Sequence, residues 1–232
     1  ILGKVSRISG AAHFNEQRWT RSFDDCKEAD VDWEAFLLDR PRRPFDPRLL
    51  RRWQLRRELT NGFPGLWMSH YADAVHRITG ARYPASAVAH GGTYVWKDGR
   101  DLPDTFHALL EYPEGFLFDW AMSLGNSAGC HFTVHGACCT LELSRSYTEP
   151  SSLALSPDGG AGAGKVEARK LTPEPTPSHM GNWLDCIRSR ARPNADIEYG
   201  HQHAVATILA ATAFETGRRQ RYDAEKREIR EG

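Results

Sequence analysis

The sequence predicts an α+β fold, an open and largely antiparallel mixed sheet with helices packed on one face. Three observations carry that expectation. From Ala85 onward apolar and polar residues alternate in short runs, separated by turn signals at Asp98-Gly99, Pro113-Glu114-Gly115 and Gly136. Within residues 116–124, Phe116, Phe118, Trp120, Met122 and Leu124 share one face, while Asp119, Ala121 and Ser123 share the other, so one side of the sheet needs a cover. Helical spacing over residues 65–79, 181–190 and 201–216 supplies that cover.

Taken in order, residues 2–14 mix Val5, Ile8 and Ala11 with Lys4 and Arg7 and read as a strand. The chain opens at Ile1 without a Met, so this strand is expected to continue from a longer protein. Residues 15–46 hold Trp19, Phe23, Trp33 and Phe36 without clear period and read as an ordered loop with one short helix, DWEAFLL. Pro41, Pro44 and Pro47 lead into a basic segment, 48–59. The helix over 65–79 closes on Gly80 as a C-cap. Strands are expected at 86–96, 105–112, 116–124, 131–135 and 138–143, joined as an antiparallel meander. Residues 157–177 read as a loop or ragged edge hairpin. The last helix carries Val205, Ile208, Leu209, Thr212 and Ala213 inward and stops at Gly217. One domain spans residues 1–232.

With 40% hydrophobic residues the chain can build a core, and thirty basic residues balance thirty acidic ones. That balance favours neither nucleic acid nor an anionic membrane as partner. Five cysteines, two of them adjacent at 138 and 139, do not resemble a disulfide framework and fit a reducing compartment. No apolar run of membrane-spanning length and no leader pattern is visible, so the expected location is cytoplasmic, with an export signal left open by the missing N-terminus.

The most informative stretch is residues 61–80, NGFPGLWMSHYADAVHRITG. Leu66, His70, Ala74 and Ile78 fall in one helical row beside Trp67, Tyr71 and Val75, which points His70 inward with Asp73 one turn on. The imidazole is then either a satisfied core histidine or an active-site group. GGAGAGK, residues 159–165, matches a phosphate loop up to its lysine, but Val166 stands where Ser or Thr holds magnesium, so it reads as a turn. No G-x-G-x-x-G is present. His70, His179, His201 and His203 make a weak metal set without ligand spacing, and none is assigned to a metal. The run Gly91 to Trp96 pairs close-approach glycines with Tyr94 and Trp96 as a stacking surface for a sugar. Asn126, His179 and Asn182 are candidates for the same mouth, and Arg52 in its basic segment for an anionic group or a solvated face.

In this order the pieces LGKVSRISG, VDWEAFLLDRPRRPF, RRWQLRRELTNGFPGLWMSHYADAVHRITGARYP, GGTYVWKDGRDLPDTFHALLEYPEGF, HMGNWLDCIRSRARPNADIEYGHQHA and GRRQRYD resemble the C-terminal domain of Gfo/Idh/MocA oxidoreductases. The resemblance implies an N-terminal Rossmann domain, outside this sequence, that binds NAD or NADP and carries a catalytic Lys in Glu-Lys-Pro. It implies that this domain supplies the pocket for a sugar or cyclitol and the surface of a homo-oligomer. The family helix is similar to D-x-x-x-H-x-x-D; His70 and Asp73 match its second and third positions, and Leu66 stands at the first. It follows that His70 and Asp73 are the catalytic candidates, with Trp67, Tyr71, Tyr94, Trp96, Asn126, His179, Asn182, His201 and Arg52 around the substrate. Two other functions stay open: a metal-assisted lyase or hydrolase on 3-keto-glycosides, and a non-catalytic saccharide-binding or dimerisation domain.

Overall fold

The computed structural model describes residues 1–145, 152–157, 166–172 and 178–232. Its strands are β1 (Val5–Asn15), β2 (Ser86–Gly92), β3 (Thr105–Tyr112), β4 (Phe116–Ser123), β5 (Gly125–Gly136), β6 (Cys139–Arg145), β7 (Ser152–Pro157), β8 (Arg169–Leu171), β9 (Gln220–Asp223) and β10 (Glu228–Glu231). They form one open sheet in the order β10-β9-β2-β3-β4-β1-β5-β6-β7-β8. Helices are α1 (Trp33–Leu37), α2 (Pro47–Arg51), α3 (Ser69–Thr79), α4 (His179–Ser189) and α5 (Ile197–Thr216). The expected mixed, mostly antiparallel sheet is what the chain forms.

Its meander is interrupted. β1 lies between β4 and β5, parallel to β4 with Arg7 opposite Leu117 and antiparallel to β5 with Ala11 opposite His131. The expected strand at 86–96 stops at Gly92, because Tyr94, Val95 and Trp96 turn their N–H groups onto the Asp104 carboxylate instead of a neighbouring strand. At the sheet's edge β8 pairs antiparallel with β7, while the glycine turn at 159–165 lies outside the described residues.

The core sits between the sheet and the α3/α5 pair. Ile8, Phe106, Leu110, Phe118, Trp120 and Phe132 project from the strands toward Tyr71, Val75, Leu209 and the small Ala206, Ala210 and Ala213. Those alanines let α5 lie close against β2 and α3. Tyr71 crosses the layer, its hydroxyl donating to the Ala11 carbonyl at 2.8 Å. Gly10 makes room for it: a Cβ there would stand 2.6 Å from the Tyr71 ring. Ile208, expected inside, is 46% exposed; the inner face of α5 runs through Gln202, Val205, Ala206 and Leu209.

The helix-facing pattern is also rotated at α3. Its buried stripe is Met68, Tyr71, Ala72, Val75 and His76, so His70 is exposed rather than inward. Two physical reasons account for this. Residues Pro64–Met68 form a π-helical turn, so the step from Leu66 to His70 does not follow the 3.6-residue period. The polar His76 ends the true apolar stripe and is accommodated by a 2.9 Å hydrogen bond between its Nε2 and the Tyr112 hydroxyl.

Candidate active site

α3 begins beside the end of β1. There Trp67 packs on Phe14 with ring centroids 5.2 Å apart, and the Arg18 guanidinium lies 4.0 Å from the Phe14 centroid and 5.0 Å from that of Trp67. His70 is edge-on to Trp67 at 6.4 Å. Asp73, one turn further on, faces α5 with its carboxylate 3.9 Å from His203 Nδ1. An exposed imidazole, an aromatic floor and a carboxylate-histidine pair therefore share one helical surface. That surface has the parts needed to stack a sugar face and to move a proton.

The 93–104 loop stands on the same rim of the sheet. Asp104, fully buried, accepts from the N–H groups of Tyr94, Val95 and Trp96 at 3.0, 2.8 and 2.7 Å. Burial opposes its charge, but these three donors and the Thr105 hydroxyl hold its carboxyl below the usual range. Asp98 and Arg100 form a buried ion pair at 2.6 Å, and Gln17 joins it from the end of β1. Burial again works against the Asp98 carboxylate, yet Arg100 and Gln17 bring its pKa down to about 2. Trp96 Nε1 donates to the Leu124 carbonyl at 2.8 Å, tying the loop to the end of β4.

The expected site residues divide. Trp67, His70, Tyr94, Trp96 and Asn126 lie at this rim; Tyr94 is 61% exposed and closes over Gly92, where a Cβ would meet its ring at 2.7 Å. The group approaching the paired glycines is thus the chain's own tyrosine and, at Gly91, the Thr105 carbonyl. Asn126 caps its own turn by accepting from Ala128 N. Tyr71 is a core residue. Arg52 donates to the Arg21 carbonyl and lies over Phe23. His201 pairs with the Tyr83 hydroxyl at 3.0 Å near the far end of α3, and Asn182 accepts from Asn194 N. His179 is exposed at the start of α4. Arg18 is an addition that spacing did not single out, and His203, considered from sequence only in the weak metal set, reaches the site through the packing of α5 on α3. Among the described residues no group of three or more His, Cys, Asp or Glu is placed to hold a metal ion.

The class defined here is an open-faced α/β domain with a helix pair on one side and an ionisable rim. The model of the oxidoreductase family, C-terminal alpha/beta domain, of the Gfo/Idh/MocA group matches residues 35–222. The chain belongs to that family. Among solved structures, aldose-aldose oxidoreductase from Caulobacter crescentus, complexed with glycerol, superposes with a TM-score of 0.66 at 16% identity, covering 95% of this chain and 56% of that one. The WlbA dehydrogenase from Bordetella pertussis, in complex with NADH and UDP-GlcNAcA, gives 0.61 at 16% identity, covering 96% and 56%. UDP-N-acetylglucosamine 3-dehydrogenase GnnA from Acidithiobacillus ferrooxidans gives 0.57 at 15%, covering 93% and 55%. At these identities the likeness is one of fold. The chain spans little more than half the length of these structures. A search of curated proteins found no match.

Proposed function

We propose that the rim around His70 is the substrate side of an NAD(P)-dependent oxidoreductase acting on a sugar or cyclitol hydroxyl. The observation that carries this reading is the exposed imidazole of His70 beside Trp67, at the position matching the family's histidine. The presence of NADH and a nucleotide sugar in one structure of the same fold supports the cofactor and the substrate class. Described residues of this chain make no glycine turn from a strand into a helix, so the dinucleotide phosphates are assigned to a further domain of the full-length protein.

When bound, the nicotinamide supplies the acceptor for the hydride that leaves the carbinol carbon. On this chain, His70 takes the hydroxyl proton on an imidazole nitrogen, and Trp67 packs against the apolar face of the ring. Asp73 faces His203 and helps fix the α3/α5 surface on which His70 stands. Leu66, half-buried in the π-helical turn, stands where the family motif places a carboxylate. In the full-length protein, His70→Ala is expected to lower kcat by about 100-fold or more while NAD(H) binding persists. Wild-type turnover by that variant refutes the assignment.

The same domain is proposed to self-associate through the uncovered face of the sheet. Val88, Leu109 and Leu117 are each 38–39% exposed on that face, around the Arg7–Asp119 ion pair.

A further inference from the structure

α4 is amphipathic the wrong way round. Met180, Trp183, Leu184 and Ile187 stand at i, i+3, i+4 and i+7, the spacing of one apolar stripe along a helix. That stripe faces outward: its four residues are 40–60% exposed, whereas Asn182 and Cys186 on the other side are partly buried. No residue of α4 is buried, and none enters the core that the sequence expected this helix to cover. A helix of 11 residues is marginal in water by itself, and a contiguous exposed apolar patch on a folded domain marks a contact surface.

The place of α4 in the fold narrows what covers it. Asn182 Oδ1 accepts from Asn194 N at 2.9 Å, and the Asn194 carbonyl in turn accepts from Arg77 on α3. Arg77 follows His70 by seven residues, two turns along the same side of α3 and about 10 Å up its axis. α4 is thereby moored to the row that begins at His70. A domain that brings a nicotinamide to the exposed His70 imidazole lies over that row, and α4 is the next apolar surface along it. Ile197, three residues beyond Asn194, adds an 83% exposed side chain at the start of α5. The length of such a domain is accounted for, since this chain matches little more than half of each solved structure described above.

We propose that the apolar stripe of α4 is the docking surface for the dinucleotide-binding domain of the full-length protein, which meets it with an apolar patch of its own. The proposal rests on the reading that a further domain carries the nicotinamide. Asn182 ties the helix to this domain, and Met180, Trp183, Leu184 and Ile187 are left for the other. α4 then joins the two bodies at a fixed distance from His70.

The test is oxidation of the full-length protein by hydrogen peroxide, with each methionine followed by peptide mass spectrometry. Met68 and Met122 are buried in this domain, so they report whether it stays folded; Met180 is exposed in it. Docking is expected to slow Met180 about 10-fold or more relative to free methionine. Trp183→Glu with Ile187→Glu should return Met180 to the fast rate and lower kcat by about 10-fold, with Met68 and Met122 still slow and NADH affinity unchanged. His70→Ala should leave Met180 protected. A fast Met180 in a full-length protein that binds NADH overturns the docking and leaves the role of His70 standing, whereas a full-length protein that binds no nicotinamide overturns both. Equal Met180 rates in the wild type and the double variant, or protection that vanishes when dilution takes the protein to a monomer, also overturn the proposal, the last by assigning the stripe to a second copy of the chain.

Discussion

Two histidines six residues apart on α3 have contrasting environments, and periodicity points the exposed one inward. His70, the expected inward residue, is exposed beside Trp67; His76 is the buried one, bonded through Nε2 to the Tyr112 hydroxyl. Helical spacing is visible in the letters, but its phase depends on the π-helical turn and on Tyr112, a residue 36 positions away. His76 also has a measurable signature. Burial, and then the neighbouring His203, push its pKa down from 6.5 to about 4. The folded state therefore favours the neutral ring, and its contribution is fully present above pH 6.5 and is lost as pH falls toward about 4. Urea unfolding across this window should show a loss of up to about 3 kcal/mol that is absent in His76→Phe. Equal slopes in the two proteins would rule out His76 as the source.

Among the elements, β3 has its expected bounds, and β4 and α3 lie within or near theirs, since each has a clean period and a turn or glycine at its end. Tyr94-Val95-Trp96 reads as strand because its composition is that of one, yet Asp104 competes for its N–H groups and wins. One carboxylate thus sets the shape of the loop over residues 93–104. Asp104→Asn brings an NH₂ group into a pocket built of donors and is expected to cost about 2–3 kcal/mol. The urea midpoint reports that cost, and altered Trp96 fluorescence reports release of the loop. A variant with unchanged midpoint and unchanged fluorescence removes Asp104 as the organiser. The position of β1 was similarly illegible, because strand order is a tertiary choice that local alternation does not encode.

For the molecule as a whole, the uncovered sheet face carries a row of histidines. His90 stands opposite His107, and Ala121 and Ala11 continue that row to His131; His13 lies one row along. Burial, then His131 and His107, lower the pKa of His13. Arg7, Asp119 and Glu111 are the other charged groups on the central part of this face, with Arg7 and Asp119 mutually engaged. If copies pair through it, Val88, Leu109 and Leu117 are covered in the contact. Sedimentation should then find a dimer that Leu109→Lys and Leu117→Lys together dissociate. A monomer throughout, or a dimer that survives both substitutions, contradicts pairing by this face. The family, the sheet and its one-sided cover were readable from sequence, while the division of candidate residues between the rim and the far end of α3 required the packed helices.

The central place of β1 has a temporal consequence. β1 must wait for partners about 110 residues later in the chain, and both of its ladders form across such distances. Until β4 and β5 emerge, its backbone groups have neither permanent neighbour, and β2-β3-β4 and β5-β6 remain two separate ribbons. Insertion of β1 joins them, so a strand made before all of its sheet partners is the last piece needed to make the sheet continuous.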